Sequence, residues 1–225
     1  MKKLVATLVV AALASTALAQ QTWYARGAFN GWSLDNPLTW QSGDYYTGTI
    51  SGLNPGDTFE YKIALEDWSL SAPGSNGKVM ADANGEINFH FWDNETWSDG
   101  WEPSAKRRVG YDDPGMFAWE IIGSMTGWSS GILMSDMGNG LWSADVALDA
   151  GTYDWKFRKE NDWDISIGDD FGNAAANNTL TVANDGDVYR FELDLPNGRW
   201  RTTLVPEPGS LVLLALTGLL ATRRR

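Results

Sequence analysis

The ten residues WYARGAFNGW (Trp23–Trp32) recur 96 positions later as WEIIGSMTGW (Trp119–Trp128), and both stretches fit the pattern W-x3-G-x3-G-W. Three further matches follow in the same order: FEYKI with YDWKF (Phe59–Ile63, Tyr153–Phe157), EDW with NDW (66–68, 161–163), and NGEI with DGDV (84–87, 185–188). Four matches in one order indicate an internal duplication. We therefore predict two repeats, at 20–102 and 118–204. The stretch 103–117 between them is rich in proline, glycine and charge, which predicts a linker.

Within each repeat, apolar and polar residues alternate in short runs that end at glycine-containing turns. Tyr153, Trp155 and Phe157 alternate with charged residues, and so do the apolar residues of 189–195. This period of two indicates half-buried antiparallel strands, and the body shows no sustained helical pattern. We expect two β-sandwiches. Tyr61 and Trp155 are in phase with the apolar face and are predicted to be core residues, whereas His90 falls on the polar face.

The composition excludes several classes of function. The chain has 17 Lys and Arg against 29 Asp and Glu, no cysteine and one histidine. Disulfide scaffolds, cysteine-ligated metals and thiol nucleophiles are therefore excluded. A net charge of −12 argues against a nucleic-acid or anionic-membrane partner, because both favour basic surfaces.

The N-terminus has the features of an export signal. Met1-Lys2-Lys3 precedes an apolar run and the small-residue site Ala17-Leu18-Ala19. This order is typical of a secretory signal peptide, which we place at 1–19 as a helix that signal peptidase removes. The mature protein is then predicted to be exported.

The C-terminus (205–225) contains Pro206-Glu207-Pro208, an apolar run and the arginines Arg223, Arg224 and Arg225. The apolar run spans about 18 Å as a helix, which is shorter than a bilayer core of about 30 Å. The whole segment resembles the PEP-CTERM sorting signal of Gram-negative bacteria. The resemblance implies a transient stay in the inner membrane as a hydrophobic sorting helix. It also implies cleavage by an exosortase-type enzyme and release to the cell surface or extracellular matrix.

Four tryptophans do not fit the alternating pattern. Trp32 and Trp128 follow a glycine in a turn, and Trp68 and Trp163 lie in polar segments. An exposed indole suits ligands with an apolar face, such as sugar rings, when polar side chains stand nearby. The alternative is that these tryptophans only cap the ends of the sandwiches.

The repeats also resemble the early-set (E-set) immunoglobulin-like modules that bind starch and glycogen. The resemblance rests on GAFNGW (Gly27–Trp32), on FEYKI and on the tryptophan that follows it. It implies two tandem immunoglobulin-like antiparallel sandwiches and a glucan contacted by Trp32, Lys62 and Trp68 in the first repeat. In the second repeat the corresponding residues are Trp128, Lys156 and Trp163, with Asn177 and Asn178 in the position of a further contact. Met125-Thr126 departs from the family pattern, and the first repeat has no asparagine pair.

These patterns favour binding over catalysis. No nucleophile, phosphate-loop or metal-histidine motif is present, so we expect no enzyme activity, no cofactor and no metal. Calcium at Asp169-Asp170 or at 184–187 is a weaker alternative to a solvated acidic turn. The leading hypothesis is non-catalytic binding of polysaccharide, best an α-glucan. The alternatives are a structural spacer in the extracellular matrix and an accessory subunit that docks an enzyme.

Overall fold

The computed structural model describes residues 21–206. The predicted signal peptide, and all of the predicted sorting signal except Val205 and Pro206, lie outside this range. The described residues form two single-turn 3-10 helices (Ala28–Asn30 and Ser124–Thr126) and sixteen strands. The strands are β1 Tyr24–Gly27, β2 Thr39–Ser42, β3 Tyr45–Ile50, β4 Thr58–Ala64, β5 Ser71–Met80, β6 Ile87–Trp92, β7 Arg108–Tyr111, β8 Trp119–Gly123, β9 Ile132–Leu133, β10 Ser135–Asp136, β11 Leu141–Leu148, β12 Gly151–Lys159, β13 Asp162–Ile167, β14 Asn178–Val182, β15 Asp187–Asp194 and β16 Arg199–Leu204.

The strands pair into four antiparallel sheets, two from each repeat. The first repeat contributes β1-β4-β5 and, together with β7 from the predicted linker, β2-β3-β6-β7. The second contributes β10-β11-β15-β16 and a five-stranded sheet of order β13-β12-β8-β9, in which β14 also pairs with β12. Tyr61 on β4 and Trp155 on β12 are fully buried, as the alternation predicted.

The prediction of two tandem immunoglobulin-like sandwiches is wrong, whereas the two flanking helices, predicted at 1–19 and 205–225, fall almost wholly outside the described residues. The four small sheets form a β-propeller-like ring, and no helix in 21–206 reaches seven residues. Most buried apolar residues of both repeats belong to one cluster that runs from Trp23 to Leu195. The physical reason is size: a unit of about 80 residues without disulfides buries little surface alone. The repeats therefore share a core.

Contacts between the repeats are specific as well as apolar. Asp170 accepts hydrogen bonds from the backbone N–H (2.7 Å) and the hydroxyl (2.9 Å) of Ser75. Lys78 forms an ion pair with Asp164, and the Tyr111 ring packs edge-on against Phe171. The stretch predicted as a linker takes part, because β7 lies inside it and pairs with β6. All four residues of β7 are buried.

One inter-repeat ion cluster makes the stability dependent on pH. Asp99 accepts hydrogen bonds from Arg108 and Arg199, and these lower the pKa of its carboxyl group to about 2, with Arg108 as the largest cause. Because the pKa of this carboxyl is lower in the folded state than its value of about 3.9 in the unfolded chain, its ionised form stabilises the folded protein at pH values above about 3.9. This stabilisation is lost as the pH falls through the folded-state pKa of about 2.

We expect Asp99→Asn to lower the free energy of unfolding by about 1 kcal/mol at pH 7, a modest value because the side chain is 34 % exposed. Urea unfolding at pH 7 and pH 2 tests this expectation. The difference between variant and wild type should be much smaller at pH 2, because the carboxyl is then about half protonated in the folded state, and a difference that is equal at both pH values would contradict the assignment.

Candidate functional site

The duplicated motif forms the same turn in both repeats. An extended glycine (Gly27 or Gly123) leads into a 3-10 turn, and a second glycine (Gly31 or Gly127) has φ of 60° in each case. The next tryptophan closes the turn: the N–H of Trp32 donates to the Gly27 carbonyl at 2.9 Å, and Trp128 to Gly123 at 3.0 Å. The motif therefore presents an indole at the end of β1 and of β8.

The backbone of these tryptophans is strained. Trp32, Trp68 and Trp128 have φ of 64°, 62° and 59°. The left-handed region costs a residue with a side chain about 1–2 kcal/mol, so glycine or asparagine would be more stable there. Strain of this kind concentrates at functional sites. These positions therefore favour presentation of the indole over stability.

The first glycine of the motif is required for a different reason, namely close approach. A Cβ on Gly123 would overlap the Asp154 carbonyl oxygen and the Cβ of Trp155. We expect Gly123→Ala to lower the free energy of unfolding by about 2 kcal/mol, because backbone and core would have to shift. In the control Gly151→Ala, the new Cβ meets nothing closer than 3.6 Å, and thermal unfolding should change little. Equal losses in the two variants would contradict this explanation.

The structure brings the four predicted tryptophans together in two pairs. Ring centroids are 6.1 Å apart in both, with interplanar angles of 44° for Trp32–Trp68 and 31° for Trp128–Trp163. The second member of each pair is exposed, Trp68 by 40 % and Trp163 by 47 %. Trp32 and Trp128 are half-buried. Each repeat thus carries a tilted, partly exposed indole surface, which we call a tryptophan platform.

A buried guanidinium supports each platform, and no sequence pattern indicated it. The Arg26 Cζ lies 3.8 Å from the ring centroid of Trp68, and the Arg158 Cζ lies 4.6 Å from that of Trp163. Arg26 lies on β1 and also donates to the Trp32 carbonyl at 2.9 Å. Arg158 lies on β12 and pairs with Glu120, and the side chains of both are at least 95 % buried. Arg158 lies on the polar phase of β12, and its burial is not expected from the alternation along that strand.

The two predicted lysines lie beside these arginines. Lys62 faces Arg26 across the β1–β4 pair, and Lys156 shares one face of β12 with Arg158. Their ammonium groups are already bonded: Lys62 donates to the carbonyls of Pro73 (2.8 Å) and Gly74 (2.7 Å). Lys156 donates to the Ala175 carbonyl at 2.6 Å. Burial lowers the pKa of both lysines, and nearby carboxylates, Asp170 in each case, oppose that shift.

The predicted asparagine pair lies apart from the platform. Asn178 is opposite Trp155 in the β12–β14 pair and is only 2 % exposed. Because side chains alternate along a strand, Lys156 points to the opposite face of that sheet from Trp155. Asn177 and Asn178 instead line a cleft between the repeats. In the first repeat, the amide of Asn76 donates to Glu60 at 3.1 Å.

The acidic turns are satisfied within the protein. Asp170 accepts from Ser75 and Gly172, and Asn184 donates to Asp187. Within 21–206, no group of three or more acidic or histidine side chains is placed to hold a metal ion. In the same range, no helix is long and apolar enough to span a bilayer.

Comparison with known proteins assigns no family. No protein-family model matches the chain. The curated proteins also give no match. Among solved structures, a pullulanase from Bacillus acidopullulyticus aligns with a TM-score of 0.26 and 14 % identity. The alignment covers 72 % of this chain and 31 % of that enzyme, so the chain spans about a third of its length. A TM-score this low supports no argument about fold or function.

Proposed function

We propose that this protein binds polysaccharide without modifying it, through its two tryptophan platforms. The observation that carries the proposal is the repeated arrangement of a half-buried indole, an exposed indole and a guanidinium packed against the exposed ring. The C–H face of a sugar ring stacks on an exposed indole, and the arginine restricts the motion of that indole before the ligand binds.

The tilt of each platform favours a curved chain. The two indole rings are inclined to each other by 44° in the first platform and by 31° in the second. Within a platform, both rings therefore cannot lie flat against a straight, ribbon-like polymer. An α-linked glucan coils, so successive sugar rings change direction along it. We therefore propose an α-glucan as the ligand class. Two platforms on one chain raise the overall affinity when both reach the same polymer.

We further propose that the protein is exported and sorted to the surface. This part rests on the sequence alone. Residues 1–19 contain a basic start, an apolar run and an A-x-A site, and residues 205–225 contain Pro-Glu-Pro, an apolar run and three arginines. Signal peptidase and an exosortase-type enzyme are the processing partners that it implies.

Affinity electrophoresis tests the binding proposal. The purified protein is run in native gels that contain glycogen, pullulan or an unbranched β-glucan. We expect the protein to migrate more slowly in glycogen and pullulan gels than in a gel without polysaccharide. In the β-glucan gel we expect no retardation. Equal mobility in all gels would refute the proposal.

A structural spacer is the second candidate. The observation that favours it is that the ammonium groups of Lys62 and Lys156 are held by backbone carbonyls, where a sugar contact would need them free. A spacer predicts equal mobility in every gel, so the same experiment separates the two functions.

A further inference from the structure

The two repeats differ beside their platforms at one pair of opposed strand residues. In the second repeat, Glu120 on β8 stands opposite Arg158 on β12, and the two form the buried ion pair. The duplicated motifs align these residues with Tyr24 on β1 and Ala64 on β4, which stand opposite each other in the first repeat. The long, paired side chain of Arg158 is therefore replaced by a methyl group beside the first platform.

The two strands also separate earlier in the first repeat. In the second repeat, the Glu160 N–H donates to the Ala118 carbonyl at 2.9 Å, which continues the pairing of β8 with β12 beyond the strand ends. In the first repeat, the pairing of β1 with β4 ends at Tyr24. The N–H of Leu65, the next residue after β4, donates to the Leu70 carbonyl at 3.1 Å instead. The two chain segments therefore diverge next to the first platform.

A groove of about 560 Å³ lies where these segments diverge. It is lined by Gln21, Thr22, Tyr24, Leu65, Glu66 and Asp67. Tyr24 shares one face of β1 with Arg26, whose guanidinium packs against the Trp68 ring, and Asp67 directly precedes Trp68. The groove therefore adjoins the first platform, and its volume is within the range of about 300–1,000 Å³ that is usual for small-ligand sites.

The groove presents hydrogen-bonding groups that the protein leaves free. Within 21–206, no hydrogen-bond partner is found for the side chains of Gln21, Thr22, Tyr24 and Glu66. All four are exposed or half-buried, so a ligand can reach them. One carboxylate oxygen of Asp67 is held by the N–H and the hydroxyl of Ser69. An amide, two hydroxyls and a carboxylate suit the hydroxyl groups of a neutral sugar, whereas two neighbouring carboxylates disfavour an anionic polymer.

We propose that this groove extends the first platform, so that the first repeat binds a longer stretch of α-glucan than the second. The inference rests on the proposed function, because the sugar units in the groove are joined to the unit that stacks on Trp68. The Glu66 carboxylate and the Tyr24 hydroxyl bind hydroxyl groups of those further units. In the second repeat, Arg158 engages the carboxylate of Glu120 and the strands remain paired, so that platform has no such extension.

Isothermal titration calorimetry with maltotriose and maltoheptaose tests the inference on full chains that keep one platform each. Trp163→Ala keeps the first platform, and Trp68→Ala keeps the second. A longer sugar gains affinity at any site because it can bind in more registers, and this gain is similar in both variants. We expect the ratio of the maltoheptaose affinity to the maltotriose affinity to be about ten-fold larger in Trp163→Ala, as one or two additional hydrogen bonds would give.

Substitutions in the groove show which side chains cause the difference. Tyr24→Phe combined with Glu66→Ala, in the Trp163→Ala chain, should lower the affinity ratio to that of the second platform. Glu160 is an exposed glutamate at the corresponding turn of the second repeat, so Glu160→Ala in the same chain should leave the ratio as it was.

The outcomes separate the groove from the platforms. Equal ratios in Trp163→Ala and Trp68→Ala, or a ratio that survives the groove substitutions, would overturn the groove and leave the platforms standing. If neither the wild type nor any variant binds either sugar, the platform proposal fails and the groove fails with it.

Discussion

Replacing Trp68 and Trp163 together with alanine is expected to abolish the retardation of this protein in glycogen and pullulan gels. These are the exposed members of the two platforms, at 40 % and 47 % exposure. Truncation of a central aromatic contact costs about 2 kcal/mol or more, about 30-fold per site. Losing both sites also removes the gain from bivalent attachment. We therefore expect the combined affinity to fall by about 10³-fold.

The single variants and a matched tryptophan make this test specific. Trp68→Ala or Trp163→Ala alone should reduce retardation and leave some of it. Trp40 is 48 % exposed on β2 but does not belong to either platform, so Trp40→Ala should migrate like the wild type in every gel. Full retardation of the double variant, or an equal loss with Trp40→Ala, would show that the platforms are not the binding surface.

Glu120→Ala is expected to cause a large loss of stability, about 3–5 kcal/mol in the free energy of unfolding. Glu120 and Arg158 form an ion pair with side chains only 2 % and 5 % exposed. Removing one partner leaves the other as an uncompensated buried charge. The same carboxylate accepts the backbone N–H of Asn161 at 3.2 Å, in a turn where φ is 54°. Both interactions are lost in the variant.

Urea unfolding at pH 7 measures this loss, and an exposed pair serves as the control. Asp145 accepts two hydrogen bonds from Arg190, but their side chains are 42 % and 47 % exposed. We expect Asp145→Ala to cost less than about 1 kcal/mol. Because Arg158 supports Trp163, Glu120→Ala should also weaken retardation in glycogen gels. A stability change no larger than that of Asp145→Ala would show that the buried pair does not carry the expected energy.

Local features of this fold were predictable because they depend on short-range physics. Period-two alternation placed Tyr61 and Trp155 in the core. The glycines of the repeated motif indicated turns, and the structure contains turns at those positions. The tryptophans that broke the alternation, such as Trp128 and Trp163, are the ones that pair at the surface. Each of these conclusions used only the neighbours of a residue along the chain.

The features that local sequence patterns do not predict involve contacts between residues that are distant in sequence. Arg158 lies on the polar phase of β12, yet it is buried in an ion pair with Glu120, which is 38 residues away along the chain. The resemblance to starch- and glycogen-binding modules groups Asn178 with Lys156, although the strand pairing places Asn178 opposite the buried Trp155. Charge and proline around 103–107 suggested a linker, but the apolar Val109 and Tyr111 place β7 in the shared core.

The sequence by itself determined that this protein is built from β-strands, that its body is duplicated, and which tryptophans fall outside the strand pattern. Strand periodicity, turn residues and internal repetition are properties of neighbouring residues, so they can be read without a fold. Only the tertiary structure decided that the four sheets share one core and that an arginine lies behind each platform. It also decided that the strands of the first repeat separate beside its platform and leave a groove there. Those outcomes depend on which surfaces pack against each other. A repeat of this size without disulfides buries too little surface by itself, so its core depends on contacts with the rest of the chain.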